Sequence, residues 1–413
     1  MMADIDYGYL KDDDGQRFYP ITNYELLTNK PDLSGYAKSS DLSNYASKLL
    51  FNIDNYGAKS GDRNFDNAPI INNLINKLPS NGGTIYIPVG DYWVNTPIII
   101  NNNYVHIVGE NSGFRSNIDH DPTNSNRPGG GSKLCLTPTN PIGLKLGDSN
   151  IGDRLSGVVF DNLNIVGAAA IGKQVSQTGI YLNRNSDGVK IINNVIMNLD
   201  FGVVAVGSDA LHLSNNWICE LTNGVHVIGS SQQCQIQNNY IGCQPRGISL
   251  KFDNPYGATV TGNNIYPDGF ECIEINNGTI CNISGNNFQS FYTGAIKMSG
   301  NNILFSNNMI YLRKNNGNWS SDPIGRDGKY GAIHIDGDDY TINGNHILSE
   351  QPSDDTRILI MSGSGNKLSM NTISGVSNRK IVINGSCNNT LSIYNCSDSE
   401  FDGGGNSSNR NIN

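Results

Sequence analysis

One short pattern of apolar and polar positions recurs eight times between residues 191 and 373. It consists of an apolar residue, two usually polar residues, Asn, any residue and a second apolar residue. The pattern places its asparagines at Asn194, Asn216, Asn239, Asn263, Asn286, Asn308, Asn345 and Asn371. Successive asparagines are 22, 23, 24, 23, 22, 37 and 26 residues apart. A repeat of this length is typical of a solenoid, in which each coil buries its apolar face only by stacking on its neighbours.

Apolar positions alternate within each repeat, which predicts strands rather than helices. A second apolar-x-apolar segment follows the asparagine in most repeats: Val204–Val206, Val225–Val227, Ile248–Leu250, Ile273–Ile275, Ile296–Met298 and Ile333–Ile335. Two or three short strands per coil, stacked in parallel about 4.8 Å apart, form a right-handed parallel β-helix. We expect the repeated asparagines to be structural, because Asn tolerates a left-handed backbone and its amide can bond the equivalent amide one coil away.

Composition limits the classes of partner. Charged residues make up 16% of the 413 residues, below the roughly 25% of ordinary globular domains. The net charge of −9 disfavours nucleic acid and anionic membrane surfaces as partners. We expect no membrane insertion and no secretion signal, because no apolar run reaches the length of a membrane span and the start is acidic. The eight cysteines contain no CxxC pair, which predicts free thiols in a protein that folds in a reducing cytoplasm.

Three regions are predicted along the chain: a segment at 1–50, a β-helix at 51–396 and a short polar tail at 397–413. The first segment contains a near-repeat at 32–38 and 41–48. It is too short and too polar to form a core of its own, so we expect it to become ordered by pairing with other chains. A flexible linker is the alternative.

Two stretches resemble known families. The sequences DGQRFYPIT and DLSGYAKSSDLSNYA, at 14–22 and 32–46, resemble the virion-proximal start of tail proteins from phages of Gram-positive bacteria. This resemblance implies attachment to other phage tail or baseplate proteins through residues 1–50, and assembly as a homotrimer.

Residues 52–109 resemble the first coil of the pectate-lyase-like β-helix family found in phage tailspikes. The resemblance is carried by the segments Ile53–Lys59, Ala68–Leu78, Gly82–Tyr92 and Val105–Glu110. Ile71, Leu74, Ile75 and Leu78 form one apolar helical stripe, which is suited to cap the open end of a solenoid. The family includes lyases, hydrolases and non-catalytic receptor-binding proteins, so the resemblance implies a fold more than an activity.

A first candidate site lies on the second strand of the coils. Its outward residues are expected to form two columns, one of Tyr181, Ala205, His226, Ser249, Glu274, Lys297 and His334, and one of Gly207, Ile228, Lys251, Asn276, Ser299 and Asp336. Glu274, Lys297 and His334 would then combine an acid, a base and an imidazole, which general acid–base catalysis needs. A solvated sheet face with a weak ion pair, or a face turned toward sister chains, is the alternative.

A second candidate site is an insertion of about 14 residues in the coil between Asn308 and Asn345, a size that follows from the repeat period. The insertion lies within 313–330, directly before the strand of His334 and Asp336. Its Trp319 offers an apolar face for a sugar ring, and nearby polar groups could bind hydroxyls. The predicted binding residues are Trp319, Arg326, Asp327, Tyr330, His226 and Asp336. A variable loop without function is the alternative.

Acidic residues in the turns give a third possibility. Glu220 and Asp268 occupy similar turn positions about two coils apart, roughly 9–10 Å, at the edge of the separation in an inverting glycosidase. Arg246 would lie one coil from Glu271 and could neutralise it. Asp336–Asp339 and Asp119–Asp121 are weak cation signals without a full ligand pattern. We therefore predict no metal site and no cofactor.

Together these features predict a phage tail spike or fibre protein that binds a polysaccharide of the host surface. In that case the protein is made in the host cytoplasm and resides in the virion. A depolymerase of the same fold, either a glycoside hydrolase or a polysaccharide lyase, is the first alternative. A structural virion component is the second alternative, although it would not need the exposed Trp319.

Overall fold

The structure is a computed structural model. It describes residues 4–6, 9–11, 17–18, 50–113, 130–147, 154–168, 176–182, 185–229, 231–243, 247–266, 271–291, 294–313, 331–350, 357–374, 379–393 and 400–412. Within these ranges, no helix is both long enough and apolar enough to cross a membrane.

The chain separates into two compact units, Met1–Lys48 and Leu49–Asn413. In the first unit, the described strands Asp4–Asp6, Tyr9–Lys11 and Arg17–Phe18 form a small antiparallel sheet.

The second unit is a right-handed parallel β-helix with three long sheets, as the sequence predicted. A typical coil passes from a strand of the first sheet, through a tight bend, to the second sheet and then to the third. The strands of the first sheet are Leu50–Asn52, Gly83–Ile87, Val105–Gly109, Val159–Asp161, Lys190–Ile192, His212–Ser214, Gln235–Gln237, Thr259–Thr261, Asn282–Ser284, Leu304–Ser306, Thr341–Asn343, Lys367–Ser369, Leu391–Ile393 and Arg410–Ile412.

The second and third sheets run beside it. The strands of the second sheet are Gly90–Val94, Ser132–Leu136, Asn164–Val166, Val195–Met197, Trp217–Leu221, Tyr240–Cys243, Asn264–Ile265, Asn287–Ser290, Met309–Leu312, His346–Ser349 and Thr372–Ser374. The strands of the third sheet are Ile98–Ile100, Ile142–Leu146, Thr178–Leu182, Phe201–Val206, Asn223–Ile228, Leu250–Asp253, Ile273–Thr279, Ile296–Asn301, Ile333–Asp338, Ile358–Ser362, Ile381–Ile383 and Phe401–Asp402. A short additional sheet joins Leu155–Ser156, Ser186–Asp187 and Ser208–Asp209.

Inward-facing side chains from the three sheets form one continuous apolar core. In one coil, for example, Ile236 of the first sheet, Ile241 of the second and Leu250 of the third are fully or almost fully buried. Alternate residues face outward, so most strands of the three sheets are apolar on their inner face. The outer faces are therefore the surfaces on which chemistry can differ between coils.

The repeated asparagines form a buried ladder at the bend between the first and second sheets. In each step from Asn194 to Asn371, the side-chain Nδ2 donates to the Oδ1 of the next asparagine at 2.9–3.1 Å. The backbone N–H donates to the same oxygen at 2.9–3.0 Å. Bonding between equivalent amides was predicted from the spacing and is confirmed.

The left-handed backbone at this bend is displaced by one residue from its predicted position. The residue before the ladder asparagine has a positive φ, as at Asn215 (57°), Asn238 (56°) and Asn307 (54°). The ladder asparagine itself turns inward because its amide is needed by the adjacent coils. The exposed residue before it makes the turn, and Asn or Gly is favoured there.

The helix Ala68–Lys77 caps the solenoid. Ile71, Leu74 and Ile75 are buried, and the helix packs against the strand Ile98–Ile100 of the third sheet. Leu78, directly after the helix, is also buried. The predicted apolar stripe is confirmed.

The other end of the described chain contains more solenoid than the sequence predicted. Phe401–Asp402 pairs with the third sheet and Arg410–Ile412 pairs with the first sheet. Part of the segment 397–413, predicted as a polar tail, therefore contributes strands.

Seven cysteines lie in the described residues, and all seven are buried thiols outside any disulfide. Burial raises the pKa of the Cys234 thiol to about 12. Cys234, Cys272, Cys281 and Cys387 are packing residues of the core, and Cys219 packs in a separate apolar cluster on the outer face of the second sheet.

Candidate functional site

Strand pairing in the third sheet defines the column that carries the candidate chemistry. Its outward positions are Tyr181, Val204, His226, Lys251, Glu274, Lys297 and His334. The predicted neighbours Glu274, Lys297 and His334 thus lie in three consecutive coils. We refer to this outward column and the residues beside it as the third-sheet face.

Two members of the predicted column were wrong. Ala205 is buried and faces the core, and Val204 takes its outward place. Every residue from Val203 to Val206 is apolar, so alternation alone could not assign the faces. Ser249 is also buried, because the strand begins at Leu250 and places Lys251 in the column.

The second predicted column shifts for the same reason. Val206, rather than Gly207, pairs with Ile228. In the next coil Lys251 belongs to the first column. Asp253, at the end of the same strand, takes its place in the second column and pairs with Asn276. Ser299 and Asp336 are paired as predicted.

Asp253 is the functional candidate that the sequence interpretation missed. Its Oδ2 lies 2.8 Å from Nε2 of His226, and its Oδ1 accepts a hydrogen bond of 2.8 Å from Nδ2 of Asn276. Partial burial would raise the pKa of this carboxyl, but the hydrogen bonds from Asn276 and His226 outweigh burial and leave the pKa lowered. Asp253 is thus held as a carboxylate. The alternation of Leu250, Lys251 and Phe252 could have placed it on the outer face.

Glu274 shares the Asn276 amide with Asp253. Nδ2 of Asn276 donates to Oε1 of Glu274 at 3.0 Å and to Oδ1 of Asp253 at 2.8 Å. The two carboxylate oxygens are therefore separated by less than the sum of these two distances. The Glu274 side chain is 10% exposed, and Nζ of Lys297 lies 3.7 Å from its Oε1. This upper bound admits the separation of about 5–5.5 Å between the two carboxyl groups of retaining glycosidases and is shorter than the separation in inverting ones.

A cavity of about 220 Å³ is lined by Asn276 and Lys297, two residues that contact this pair, and not by the two carboxyl groups themselves. It is lined by Ile275, Asn276, Lys297, Met298, Ser299, His334 and Asp336. Burial lowers the pKa of His334, and this effect outweighs the raising effect of Asp336. The imidazole is therefore neutral at neutral pH. The cavity is smaller than the roughly 300–1,000 Å³ of pockets for drug-sized ligands, so its size suits one sugar ring.

His226 was predicted as a substrate-binding residue, but the structure gives it a second partner inside the protein. Besides the contact with Asp253, its ring is stacked on that of Phe201, with centroids 6.4 Å apart and planes at 18°. The ring is thus fixed on two sides. This arrangement fits a residue that positions Asp253.

Glu220 lies at the corner between the second and third sheets. It has a left-handed backbone, with a φ of 59°, and it interrupts the pairing between Trp217–Leu221 and Tyr240–Cys243 as a bulge. Such a conformation is uncommon for Glu, and bulges are frequent beside active sites. Asp268, with which Glu220 was expected to pair, lies outside the described residues.

The predicted sugar-binding insertion also lies outside the described residues. Trp319, Arg326, Asp327 and Tyr330 therefore stay predictions, as does the neutralisation of Glu271 by Arg246. In the part of the chain that is described, no group of three or more His, Cys, Asp or Glu side chains is placed to hold a metal ion.

Three family models match parts of the chain. Residues 50–127 match a rhamnogalacturonase A/epimerase, pectate lyase-like family, which agrees with the resemblance noted in the sequence. Residues 306–409 match the beta helix repeat of inulin fructotransferase. Residues 147–323 match the periplasmic copper-binding protein (NosD) family.

One similar curated protein is the DFA-I-forming inulin fructotransferase of Arthrobacter globiformis. It is 25% identical over 368 residues, which cover 81% of this chain and 92% of the relative. Among solved structures, DFA-IIIase from Arthrobacter chlorophenolicus A6 in complex with GF2 matches with a TM-score of 0.75 and 21% identity, over 86% of this chain and 96% of that one. The same enzyme in complex with DFA-III gives a TM-score of 0.74 and 20% identity over the same shares. These structural matches establish the pectate-lyase-like β-helix fold.

The predicted main function, a phage tail spike or fibre that binds host polysaccharide, is wrong. A relative that matches 81% of this chain is an inulin fructotransferase, and several of the matching solved structures are of a DFA-IIIase. These findings favour the alternative of a carbohydrate-degrading enzyme. The family-level part of the resemblance, the β-helix, is correct, whereas its phage-specific part lacks support.

Proposed function

We propose that this protein is a carbohydrate-active enzyme that breaks a glycosidic bond in a fructose-containing substrate such as inulin. The observation that carries the proposal is the pair of carboxyl groups, Asp253 and Glu274, that share the Asn276 amide beside a cavity. The similarity to an inulin fructotransferase over 81% of the chain supports the substrate class.

The two carboxyl groups are assigned different roles because their surroundings differ. Asp253 is fixed as an anion by two hydrogen-bond donors, so it is suited to attack or stabilise the anomeric carbon as the bond breaks. Glu274 is the less exposed group, with 10% of its side chain accessible against 26% for Asp253. It is placed to give a proton to the leaving oxygen and to recover one from the incoming hydroxyl.

The incoming hydroxyl determines the reaction type. If water attacks the anomeric carbon, the reaction is hydrolysis and a new reducing end appears. If a hydroxyl of the same substrate attacks, the reaction is fructosyl transfer and a product without a reducing end is released. Lys297 and His334 border the cavity where this group would enter. Both can orient a hydroxyl by hydrogen bonding.

A second candidate centre is Glu220. Its left-handed conformation at a bulge is the observation that favours it, since strained backbone clusters at functional sites. Its pairing with Asp268 stays a prediction. We rank it below the third-sheet face because the described residues there already supply two carboxyl groups.

The purified protein should be incubated with inulin and with a short inulin-type oligosaccharide, and the products separated by chromatography. We expect new saccharides from the parent and at least about 10²-fold slower formation from Asp253→Asn. Absence of any product from both substrates would contradict the proposal. Unsaturated products that absorb in the ultraviolet, formed from a uronate-containing polysaccharide in a parallel incubation, would indicate lyase chemistry instead.

Assembly as a homotrimer, with residues 1–50 as the segment that joins the chains, is retained as a proposal. Light scattering of the full chain and of a variant lacking residues 1–50 tests it. A monomeric full chain would contradict the trimer. The predicted locations in the virion and in the host cytoplasm stay predictions.

A further inference from the structure

The outer face of the second sheet carries an aromatic cluster separate from the third-sheet face. Trp217, Tyr240 and Tyr266 come from three consecutive coils. Their ring centroids lie 5.4 Å apart for Trp217 and Tyr240, 5.7 Å for Trp217 and Tyr266, and 6.5 Å for Tyr240 and Tyr266. We refer to these three residues as the aromatic platform.

Packing of neighbouring residues fixes the platform. At Gly242, a Cβ atom would lie 3.1 Å from the Cβ of Tyr266 and 3.4 Å from the sulfur of Cys219. The absence of a side chain there lets Tyr266 pack closely over this strand and reach Trp217. Trp217 is almost buried beneath, whereas Tyr240 is 42% exposed. The exposed Tyr240 is therefore the part of the platform that a ligand can reach.

Amide groups continue the same column. Tyr240 pairs with Asn264, and Asn264 pairs with Asn287. Nδ2 of Asn287 donates to Oδ1 of Asn264 at 3.3 Å. Each amide can make more hydrogen bonds than the one that joins them, so both can bind hydroxyl groups beside the ring.

The paired outward strand positions around the platform are uncharged, and the one charged residue in these strands is Glu220, at the bulge in Trp217–Leu221. From the coil of Trp217 to that of Asn287 the outward positions are Trp217, Cys219, Tyr240, Gly242, Asn264, Tyr266, Asn287 and Gln289. The third-sheet face of the same coils carries His226, Lys251, Glu274 and Asp253 instead. An aromatic ring and amides, with a carboxyl group as the single charge in these strands, fit a neutral sugar and do not fit nucleic acid or a uronate chain.

We infer that the aromatic platform, with Asn264 and Asn287, is a second saccharide-binding site that holds a neutral polysaccharide outside the catalytic cavity. This inference rests on the proposed function for the identity of the polysaccharide. In such a site one sugar ring lies on Tyr240, and its hydroxyls bond to the two amides. Its effect is to retain long chains near the enzyme, so short oligosaccharides do not depend on it.

The test measures binding and turnover separately. Binding is measured with Glu274→Gln protein, which is expected to be inactive and therefore leaves the polysaccharide intact. Its retardation in gels that contain inulin, or dextran as a second neutral polysaccharide, reports binding. Turnover of a short inulin-type oligosaccharide is measured in the otherwise native enzyme. Tyr240→Ala removes the ring, Tyr240→Phe retains it, and Tyr256→Ala is the matched control, because Tyr256 is 45% exposed on another part of the surface.

We expect Tyr240→Ala to weaken polysaccharide binding about tenfold, as loss of one stacking ring does. Tyr240→Phe and Tyr256→Ala should bind like the parent, and turnover of the short substrate should be unchanged. The inference is overturned if Tyr240→Ala binds as tightly as the parent, or if the parent is retarded by neither polysaccharide. If Tyr240→Ala weakens binding in the Glu274→Gln protein but the native enzyme forms no product from the short substrate, the second site is supported and the proposed function fails.

Discussion

Two regions of this molecule stack polar side chains one coil apart, and they differ in what those side chains can do. At the asparagine ladder, each amide is buried and bonds to its equivalents above and below. On the third-sheet face, the stacked residues are His226, Lys251, Glu274, Lys297 and His334, and most of them are half-exposed.

The difference shows how a repeat can separate stability from chemistry. A buried amide cannot change its charge, so a ladder of identical amides is stable in every coil. A column of acids, bases and imidazoles on an outer face has charges that respond to neighbours and to ligands. The solenoid provides the same stacking geometry to both regions, and only the identity and exposure of the side chains differ.

The largest expected effect is on catalysis. Glu274→Gln keeps the shape of the side chain and removes its acid–base function, so turnover of inulin should fall about 10²- to 10⁴-fold. Asp253→Asn should give a loss of similar size. Glu274→Gln should melt near the parent temperature, whereas Asp253→Asn should melt lower because it weakens the bonds to His226 and Asn276. Glu220→Gln is the comparison variant. If it keeps full activity while the other two variants lose it, the reaction takes place on the third-sheet face. A collapse in Glu220→Gln with activity retained in the other two would move the chemistry to the corner.

The next largest effect is on stability at the ladder. In Asn286→Ala, the N–H and the amide of Asn263 lose their acceptor, and the carbonyl of Val260 loses its donor. Each buried unsatisfied group costs about 1–3 kcal/mol, so we expect the free energy of unfolding to fall by about 3 kcal/mol or more. Asn282→Ala is the control, because Asn282 lies on the outer face of the same coil. The measurement is denaturant unfolding. Equal losses of unfolding free energy in both variants would show that the ladder contributes no more to stability than an outward asparagine does.

Acid should weaken the third-sheet face and leave the ladder unchanged. The pKa of His334 is lowered by burial, so its contribution to stability is complete above the ordinary value of 6.5 and is lost as the pH falls through the lower folded value. The pKa of Asp253 is also lowered, so its contribution is lost only below about 3.8, the ordinary value for Asp.

His334→Gln should therefore flatten the decline in melting temperature between neutral pH and mild acid. His346→Gln, a change at an exposed histidine, should leave the decline as in the parent. An unchanged decline in His334→Gln would refute this assignment.

The smallest expected effect concerns the ion pair of Lys297 and Glu274. Lys297 is 37% exposed and the two charged atoms are 3.7 Å apart, so Lys297→Met should change the free energy of unfolding by less than about 1 kcal/mol. A loss comparable to that of Asn286→Ala would mean that the pair is a structural element like the ladder.

The solenoid, the ladder and the capping helix could be predicted from the sequence because all three follow from periodic apolar positions. The register of the third sheet could be predicted only in part. Glu274, Lys297 and His334 alternate with apolar residues, and there the prediction of which residues face outward was correct. Around Val204 and Ser249 it was not, because several apolar residues follow one another and only strand pairing selects the face.

The candidate site was less accessible from sequence than the fold. Asp253 was not considered, because the strand of that coil was placed two residues too early. The function was inferred from a resemblance of the first 50 residues to phage tail proteins, although the β-helix supports enzymes as well as binding proteins. Predictions for Trp319, Arg326, Asp327, Tyr330 and Asp268 stay open, since these residues lie outside the described structure.

The central claim is that a saccharide is cleaved on the third-sheet face, and a crystal structure of Glu274→Gln with a short inulin-type oligosaccharide tests it most directly. We predict a sugar ring in the cavity beside Asn276 and Lys297, with its anomeric carbon facing Asp253. An oligosaccharide bound only at the Glu220 corner, with the third-sheet face empty, would contradict the claim.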